Sequence, residues 1–384
     1  MDSCDILIVG GGPAGSSCAW ALRDSGLDVL IVDRARFPRD KLCGGWITPL
    51  VVDELDLDLK DYARPRTLQP ITGFRTGALG QEEVSINCGK VISYGIRRCE
   101  FDDYLLRRSG ARLRENFTIS SIDREPDEWI INGQIRTRML VGAGGHFCPV
   151  ARYLGNHEEA QPVVAREVEF EMTPAEAESC TVQGEIPELY FSRDLCGYGW
   201  LFRKENWLCI GLGRLDPHEL PQHLDRFAES MQQAGKFKLE YPRKYSGHAY
   251  FLFGHSKRKL VDDRVLLIGD SAGLAYPQSG EGIRPAVESG LMAAEIILSA
   301  QGDYCRPKLD RYFSMLHNRF APGGGQVEQI AHHIPAFLRN FAGRQLLKTE
   351  TFSRMVVQDW FLHSKDKPLR FPRHAAVAAR PPAA

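Results

Sequence analysis

The sequence predicts an α/β fold in which a discontinuous Rossmann-like nucleotide domain carries an inserted mixed or antiparallel β-sheet and is followed by a C-terminal helical region. Three observations predict it. An apolar strand, a glycine turn, a helix and a second apolar strand open the chain. Extended stretches alternate with turns from about 163 to 250, and a buried strand returns at 265–268 ahead of a long helix.

Ile6-Leu7-Ile8-Val9 ends in glycine and is followed by helical composition from Ala14 to Ser25 and then by Val29-Leu30-Ile31-Val32, a βαβ unit on a buried parallel sheet. Residues 72–93, rich in Gly and Val, leave this unit for another sheet. A helix is expected around Cys99 to Ser109, with strands near 112–122, 128–132 and 138–142. Leu189-Tyr190-Phe191 and Trp207-Leu208-Cys209-Ile210-Gly211 belong to the inserted sheet, which one helix at about 217–234 interrupts. Val265-Leu266-Leu267-Ile268 rejoins the first sheet, and Gly282 to Ala300 reads as a long helix. The expected boundaries are 1–71, 94–162 and 255–303 for the nucleotide domain, 72–93 and 163–254 for the substrate domain, and 304–372 for the helical region. A tail at 373–384 lacks bulky core formers and is expected to be disordered.

A chain of 384 residues buries a substantial core without staples. With 48 basic and 49 acidic residues it has no global field to recruit nucleic acid. Ten cysteines, with no C-x-x-C pair and no zinc-like spacing to histidine, predict no metal and a reduced, cytoplasmic protein. The N-terminus enters a strand directly, so neither a signal nor a transit peptide is expected. Charges interrupt every apolar run short of a membrane span.

Gly10-Gly11-Gly12-Pro13-Ala14-Gly15 satisfies G-x-G-x-x-G between a strand and a helix, and Asp33, with Arg34 beside it, ends the second strand. Gly10 permits the turn, Gly12 admits a pyrophosphate to the backbone, and Gly15 lets helix and strand approach. The helix N-terminus faces the phosphates, and Asp33 accepts from ribose hydroxyls. Near the other end stand Gly269-Asp270-Ser271-Ala272-Gly273 and Pro277-Gln278-Ser279-Gly280-Glu281-Gly282-Ile283. This string resembles the second FAD fingerprint of the glutathione-reductase-like flavoproteins, which implies that Asp270 binds a ribityl hydroxyl and that the following helix points its positive end at the flavin ring. Arg98-Cys99-Glu100-Phe101-Asp102-x-x-Leu105 resembles the R-x-x-F-D-x-x-L element of the same superfamily, which implies that Arg98 reaches the cofactor; Arg97, one helical position away, is the alternative. Gly142-Ala143-Gly144-Gly145 falls where related flavoproteins carry G-A-D-G, with Gly144 at the acid's place, and carries no assigned catalysis.

Gly280-Glu281-Gly282-Ile283-Arg284-x-Ala286-x-x-Ser289-Gly290, Lys41-Leu42-Cys43-Gly44-Gly45 and Tyr198-Gly199-Trp200-Leu201-Phe202 together resemble the geranylgeranyl reductase family over about residues 5–300. The resemblance implies an FAD-dependent oxidoreductase that reduces carbon–carbon double bonds of an isoprenoid or other hydrophobic substrate. Cofactor contacts are then expected from Gly10, Gly12, Pro13, Ala14, Gly15, Asp33, Arg34, Lys41, Cys43, Gly44, Gly45, Arg98, Gly269, Asp270, Pro277, Gly280, Gly282 and Ile283. Cys43 is expected to deliver a proton or position substrate, and Tyr198 and Trp200 to form an aromatic wall. Arg203 replaces the family's proline after Phe202, which bears on the shape of the substrate tunnel.

The electron donor is NAD(P)H, reduced ferredoxin or another carrier, since no second dinucleotide motif is present. Residues 326–362, with Phe337, Phe341, Trp360 and Phe361, are read either as a cap over the cavity or as a peripheral membrane contact. Two other functions stay open: an FAD monooxygenase acting on an aromatic or polyketide-like substrate, and a non-catalytic flavoprotein carrier, against which the large inserted sheet argues. A flavin halogenase is disfavoured by the missing W-x-W-x-I-P segment.

Overall fold

The structure is a computed structural model that describes residues 1–156, 161–321 and 342–371. The expected tail at 373–384, and Phe337 and Phe341, lie outside the described residues.

The larger sheet is built on five parallel strands in the order Val265–Leu267, Ile135–Gly142, Asp2–Val9, Val29–Val32 and Arg112–Arg114. Val29–Val32 and Val265–Leu267 are buried at every position, as continuous aliphatic runs between covered faces must be. The register sets Val9 opposite both Val32 and Gly142, and Gly142 opposite Leu267. Gly10, Asp33, Ala143 and Ile268 therefore leave the sheet side by side at its carboxyl edge, where ligands of such folds bind. Helix Pro13–Leu22 packs against the long helix Ile283–Ser299 on one face of this sheet.

The single strand expected over 112–122 is two short ones, Arg112–Arg114 and Ile122–Arg124. Asn116 breaks the run by adopting a left-handed conformation, φ 56°. The Phe117 amide then donates to the Asp33 carbonyl, which turns Phe117, Thr118 and Ile119 toward the carboxyl edge.

The second sheet has seven strands in the order Ser246–Tyr250, Val163–Glu171, Trp207–Arg214, Gly197–Lys204, Glu188–Phe191, Gly73–Ala78 and Val84–Asn87, all antiparallel except the pair Glu188–Phe191 and Gly73–Ala78. A three-stranded sheet of Trp46–Ile47, Ser93–Ile96 and Leu68–Ile71, which the sequence did not signal, stands between the two. One face of the seven-stranded sheet is covered by helix Leu220–Gln233, through Leu220, Leu224, Phe227 and Met231. Tyr198, Trp200 and Phe202 alternate onto the opposite face. Gly211 lies across from Trp200, and a Cβ there would sit 2.1 Å from the indole, so this glycine makes room for the ring.

The C-terminal segment returns over that aromatic face as helix Glu350–Met355 and a π-helical turn, Val356–Phe361. Phe361 is fully buried, 5.4 Å from Tyr198 and 5.9 Å from Trp46 between ring centroids. Replacing Gly211 with alanine should lower unfolding free energy by about 1–3 kcal/mol through displacement of Trp200. Gly213→Ala, whose Cβ meets nothing nearer than 3.7 Å, should stay within about 0.5 kcal/mol of the parent. Denaturant melts with equal losses in both variants would contradict this packing.

Candidate active site

One cavity of about 910 Å³ runs from the carboxyl edge of the parallel sheet to the aromatic face of the second sheet. Its first part is the glycine turn. Gly10 has φ +118°, and a Cβ there would strike the Ala143 carbonyl at 2.3 Å, so the turn is held by the neighbouring strand itself. Gly12 differs: its Cβ would meet only the Arg39 Nη2 atom, at 3.4 Å, and would project into the cavity. The protein has no need of a bare backbone at Gly12, but a closely approaching ligand does. Helix Pro13–Leu22 begins there with no side chain capping its free N–H groups, and Pro13 and Ala14 line the wall. These features fit the pyrophosphate of a dinucleotide.

Asp33 and Arg34 line the adjoining end of the cavity with Phe117 and Ile119, where an adenosine could lie. Asp33 already holds the turn, accepting from the Gly11 amide at 2.8 Å on one oxygen and from the Ala35 amide at 2.8 Å on the other. Each oxygen keeps a second lone pair for a ribose hydroxyl. Gly15 and Gly269 stand one layer behind the wall: a Cβ on Gly15 would meet the Gly10 carbonyl at 2.0 Å, and one on Gly269 would meet the Ala14 side chain at 2.9 Å. They shape the site by packing. Ala143, Gly144 and Gly145 do reach the cavity, although no role was expected of them.

At the other end, Lys41, Cys43, Gly44, Gly45, Arg98, Asp270, Pro277, Gly280, Gly282 and Ile283 converge with Tyr198 and Trp200. Arg98 faces inward, its fork held by Asp102 through two 2.8 Å hydrogen bonds, and it also engages the Cys43 thiol. Arg97 faces away, 3.3 Å over the Trp207 ring and paired with Glu100 and Glu169, as a helical rotation of about 100° per residue requires. Burial raises the Cys43 thiol above its ordinary pKa against the pull of Arg98, so it stands protonated at neutral pH. The Cys43 amide donates to Glu167, and Glu167 and the Trp200 indole nitrogen meet at the Cys209 sulfur, at 3.5 and 3.3 Å. Arg203 leaves the opposite face and donates to the Ala177 and Glu205 carbonyls, so its side chain is no part of the cavity wall.

His248 and Tyr250 went unrecognised in the sequence. They share a face of the edge strand Ser246–Tyr250 at spacing two, the one available signal, and they enter the cavity beside Asp270. Lys41 Nζ donates to His248 Nδ1 at 2.8 Å and His248 Nε2 donates to Asp270 at 3.1 Å, the tautomer being assigned from these partners. Burial alone would raise the Asp270 carboxyl, but its bond to His248 and the charges of Lys41 and Arg98 hold it at about 2. Burial lowers Lys41 to about 8. Tyr198 donates to the Ser279 carbonyl at 2.6 Å, and the Tyr250 hydroxyl rests against Gly280. Glu281, part of the sequence motif but assigned no role there, also lines the cavity.

The model of an NAD(P)-binding Rossmann-like domain matches residues 8–60. The menaquinone reductase of Mycobacterium tuberculosis is 32% identical over 340 residues, covering 81% of each chain. The chain belongs to the geranylgeranyl reductase family. The digeranylgeranylglycerophospholipid reductase of Methanocaldococcus jannaschii, of the same family, is 26% identical over 78% of each chain. A solved geranylgeranyl bacteriochlorophyll reductase-like protein from Thermoplasma acidophilum superposes with a TM-score of 0.72 at 22% identity, over 93% of this chain and 91% of that one. As a family member this chain is an FAD-binding oxidoreductase. No helix among the described residues is long and apolar enough to cross a membrane, and no cluster of metal-binding side chains occurs among them.

Two outcomes are expected. Gly12→Val should fold yet bind FAD roughly tenfold or more weakly, about 1.4 kcal/mol being a factor of ten; the ratio of flavin to protein absorbance after purification measures it. Lys41 loses its charge as pH rises through about 8, so affinity for the anionic cofactor should fall across that pH, and Lys41→Met should flatten the dependence in a fluorescence titration.

Proposed function

We propose that this enzyme reduces isolated carbon–carbon double bonds of an isoprenoid chain, with Cys43 supplying the proton. The observation that carries the reading is the continuity of the cavity: the cofactor groove opens at Cys43 and Arg98 directly into a chamber walled by Tyr198, Trp200, Phe352 and Trp360. Bound FAD, once reduced, supplies a hydride to one carbon of the double bond. The neighbouring carbon needs a proton, and the Cys43 thiol, kept protonated by burial, is the donor placed at the junction. Arg98, in contact with that sulfur, stabilises the thiolate left behind. Tyr198 and Trp200, with ring centroids 5.9 Å apart, present aromatic faces to the positive charge that develops on carbon and keep the chamber dry.

The isoprenoid class follows the names of the relatives and the apolar lining. Trp360 and Phe361 turn inward, Trp360 onto the chamber and Phe361 into the core, so they serve as a cap. The apolar rim lies elsewhere: Phe147 and Leu215 line the cavity yet are 60% and 49% exposed, marking a mouth through which a lipid chain enters from a membrane surface. The electron donor, NAD(P)H or a reduced carrier such as ferredoxin, binds transiently, since the sequence holds one dinucleotide motif.

Under anaerobic conditions the reduced enzyme should be reoxidised by a geranylgeranyl substrate in a single turnover. Cys43→Ala should slow that step by roughly a hundredfold or more while leaving FAD bound. Product formation that required O₂ would instead assign hydroxylation, and unchanged kinetics in the variant would remove Cys43 from the mechanism.

A further inference from the structure

The long helix Ile283–Ser299 starts at Gly282 with no capping side chain at the N-cap itself. The carboxylate one residue earlier takes that place: Glu281 accepts from the Arg284 amide at 2.8 Å and also from the Ile283 amide. A positive helix end expected to face the flavin ring thus carries a negative side chain of the protein's own, on the wall of the cavity. The ionisable groups facing it are Arg284 and Glu288 of the same helix, Tyr276 of the preceding turn and Tyr198 of the second sheet, with Tyr250 against the adjoining Gly280. Arg284 does not neutralise it fully, because its Nε is committed to Glu288 at 2.6 Å and its Nη2 to Asp366 at 3.1 Å.

We propose that Glu281 is a redox-linked proton site, ionised while the flavin is oxidised and protonated while it is reduced. This rests on the FAD reading of the site. Two electrons from a nicotinamide or a one-electron carrier, with one proton, leave the flavin ring with a net negative charge. A second negative charge beside it in a dry cavity is unfavourable, so the carboxylate takes one proton from solvent, and two electrons are matched by two protons. When hydride leaves for the substrate the ring becomes neutral, and Glu281 gives up its proton to restore the Cys43 thiol that has protonated the neighbouring carbon, so both carboxylate and thiol are regained. The site therefore gathers, during reduction, both protons that saturation of a double bond consumes. Burial already raises this carboxyl to about 7, so a nearby negative charge moves it across physiological pH.

The test is a potentiometric titration of the FAD-loaded protein at a series of pH values on either side of 7. In the wild type the slope of midpoint potential against pH should steepen above about pH 7, from one proton per two electrons to two. A reduced flavin losing its own ring proton bends the line the opposite way, so the direction of curvature separates the two. Glu281→Gln, which keeps an acceptor for the Arg284 amide, should give one proton per two electrons throughout. Reduced-minus-oxidised infrared spectra of the wild type, which need no variant, should show a carboxylic-acid carbonyl band on reduction. A wild type with no steepening, a Gln variant with the wild-type slope, or the absence of that band overturns the proposal. Failure of the wild type to bind flavin overturns the reading beneath it instead.

Discussion

The site depends first on the register of the parallel strands. Because Val9 is level with Val32 and Gly142, and Gly142 with Leu267, four chain segments distant in sequence leave the sheet at one edge. A slip of one residue in any pair would move one of these exits along the edge by about 3.3 Å and part it from the others. The glycine turn, Asp33 and the Gly269-Asp270 turn are brought together by hydrogen bonds of the backbone, before any of their own side chains interact.

A second constraint joins the two sheets. Tyr198 from the middle of the antiparallel sheet and Tyr250 from its edge both close on residues 279–280, while His248 engages Asp270. The aromatic wall of the cavity is thus bonded directly to the segment that starts the long helix Ile283–Ser299. Charges in this interior are held in pairs. Arg98 with Asp102, and Lys204 with Glu169 at 2.6 Å, place buried cations against carboxylates. Removing one member of such a pair leaves an uncompensated charge that costs about 3–5 kcal/mol. Arg98 therefore supports the fold as well as the cavity wall.

Much of this was legible in the sequence because the relevant signals are local. A strand, glycines at fixed offsets and a helix declare a phosphate site, and period-two aromatics at Tyr198, Trp200 and Phe202 declare one face of a strand. The choice of Arg98 over Arg97 followed motif position and agrees with the inward side of its helix. The break at Asn116 was not legible, since a left-handed residue in an otherwise extended stretch is selected by distant partners: its amide donates to the Ala35 carbonyl and the next amide, of Phe117, to the Asp33 carbonyl. The three-stranded sheet was missed because its members are two to four residues long and lie far apart in sequence.

The sequence by itself determined the glycine turn, the two-part α/β organisation and the residue types that line the cavity, because backbone conformation and side-chain period are written into neighbouring residues. Only the tertiary structure decided which of those residues share one cavity, and that Gly15 and Gly269 pack behind it. It alone revealed His248 beside Asp270, and Glu281 as a carboxylate on the cavity wall just before the long helix. The physical reason is that ionisation and burial depend on what approaches through space, and those partners come from strands and turns that the sequence does not place side by side.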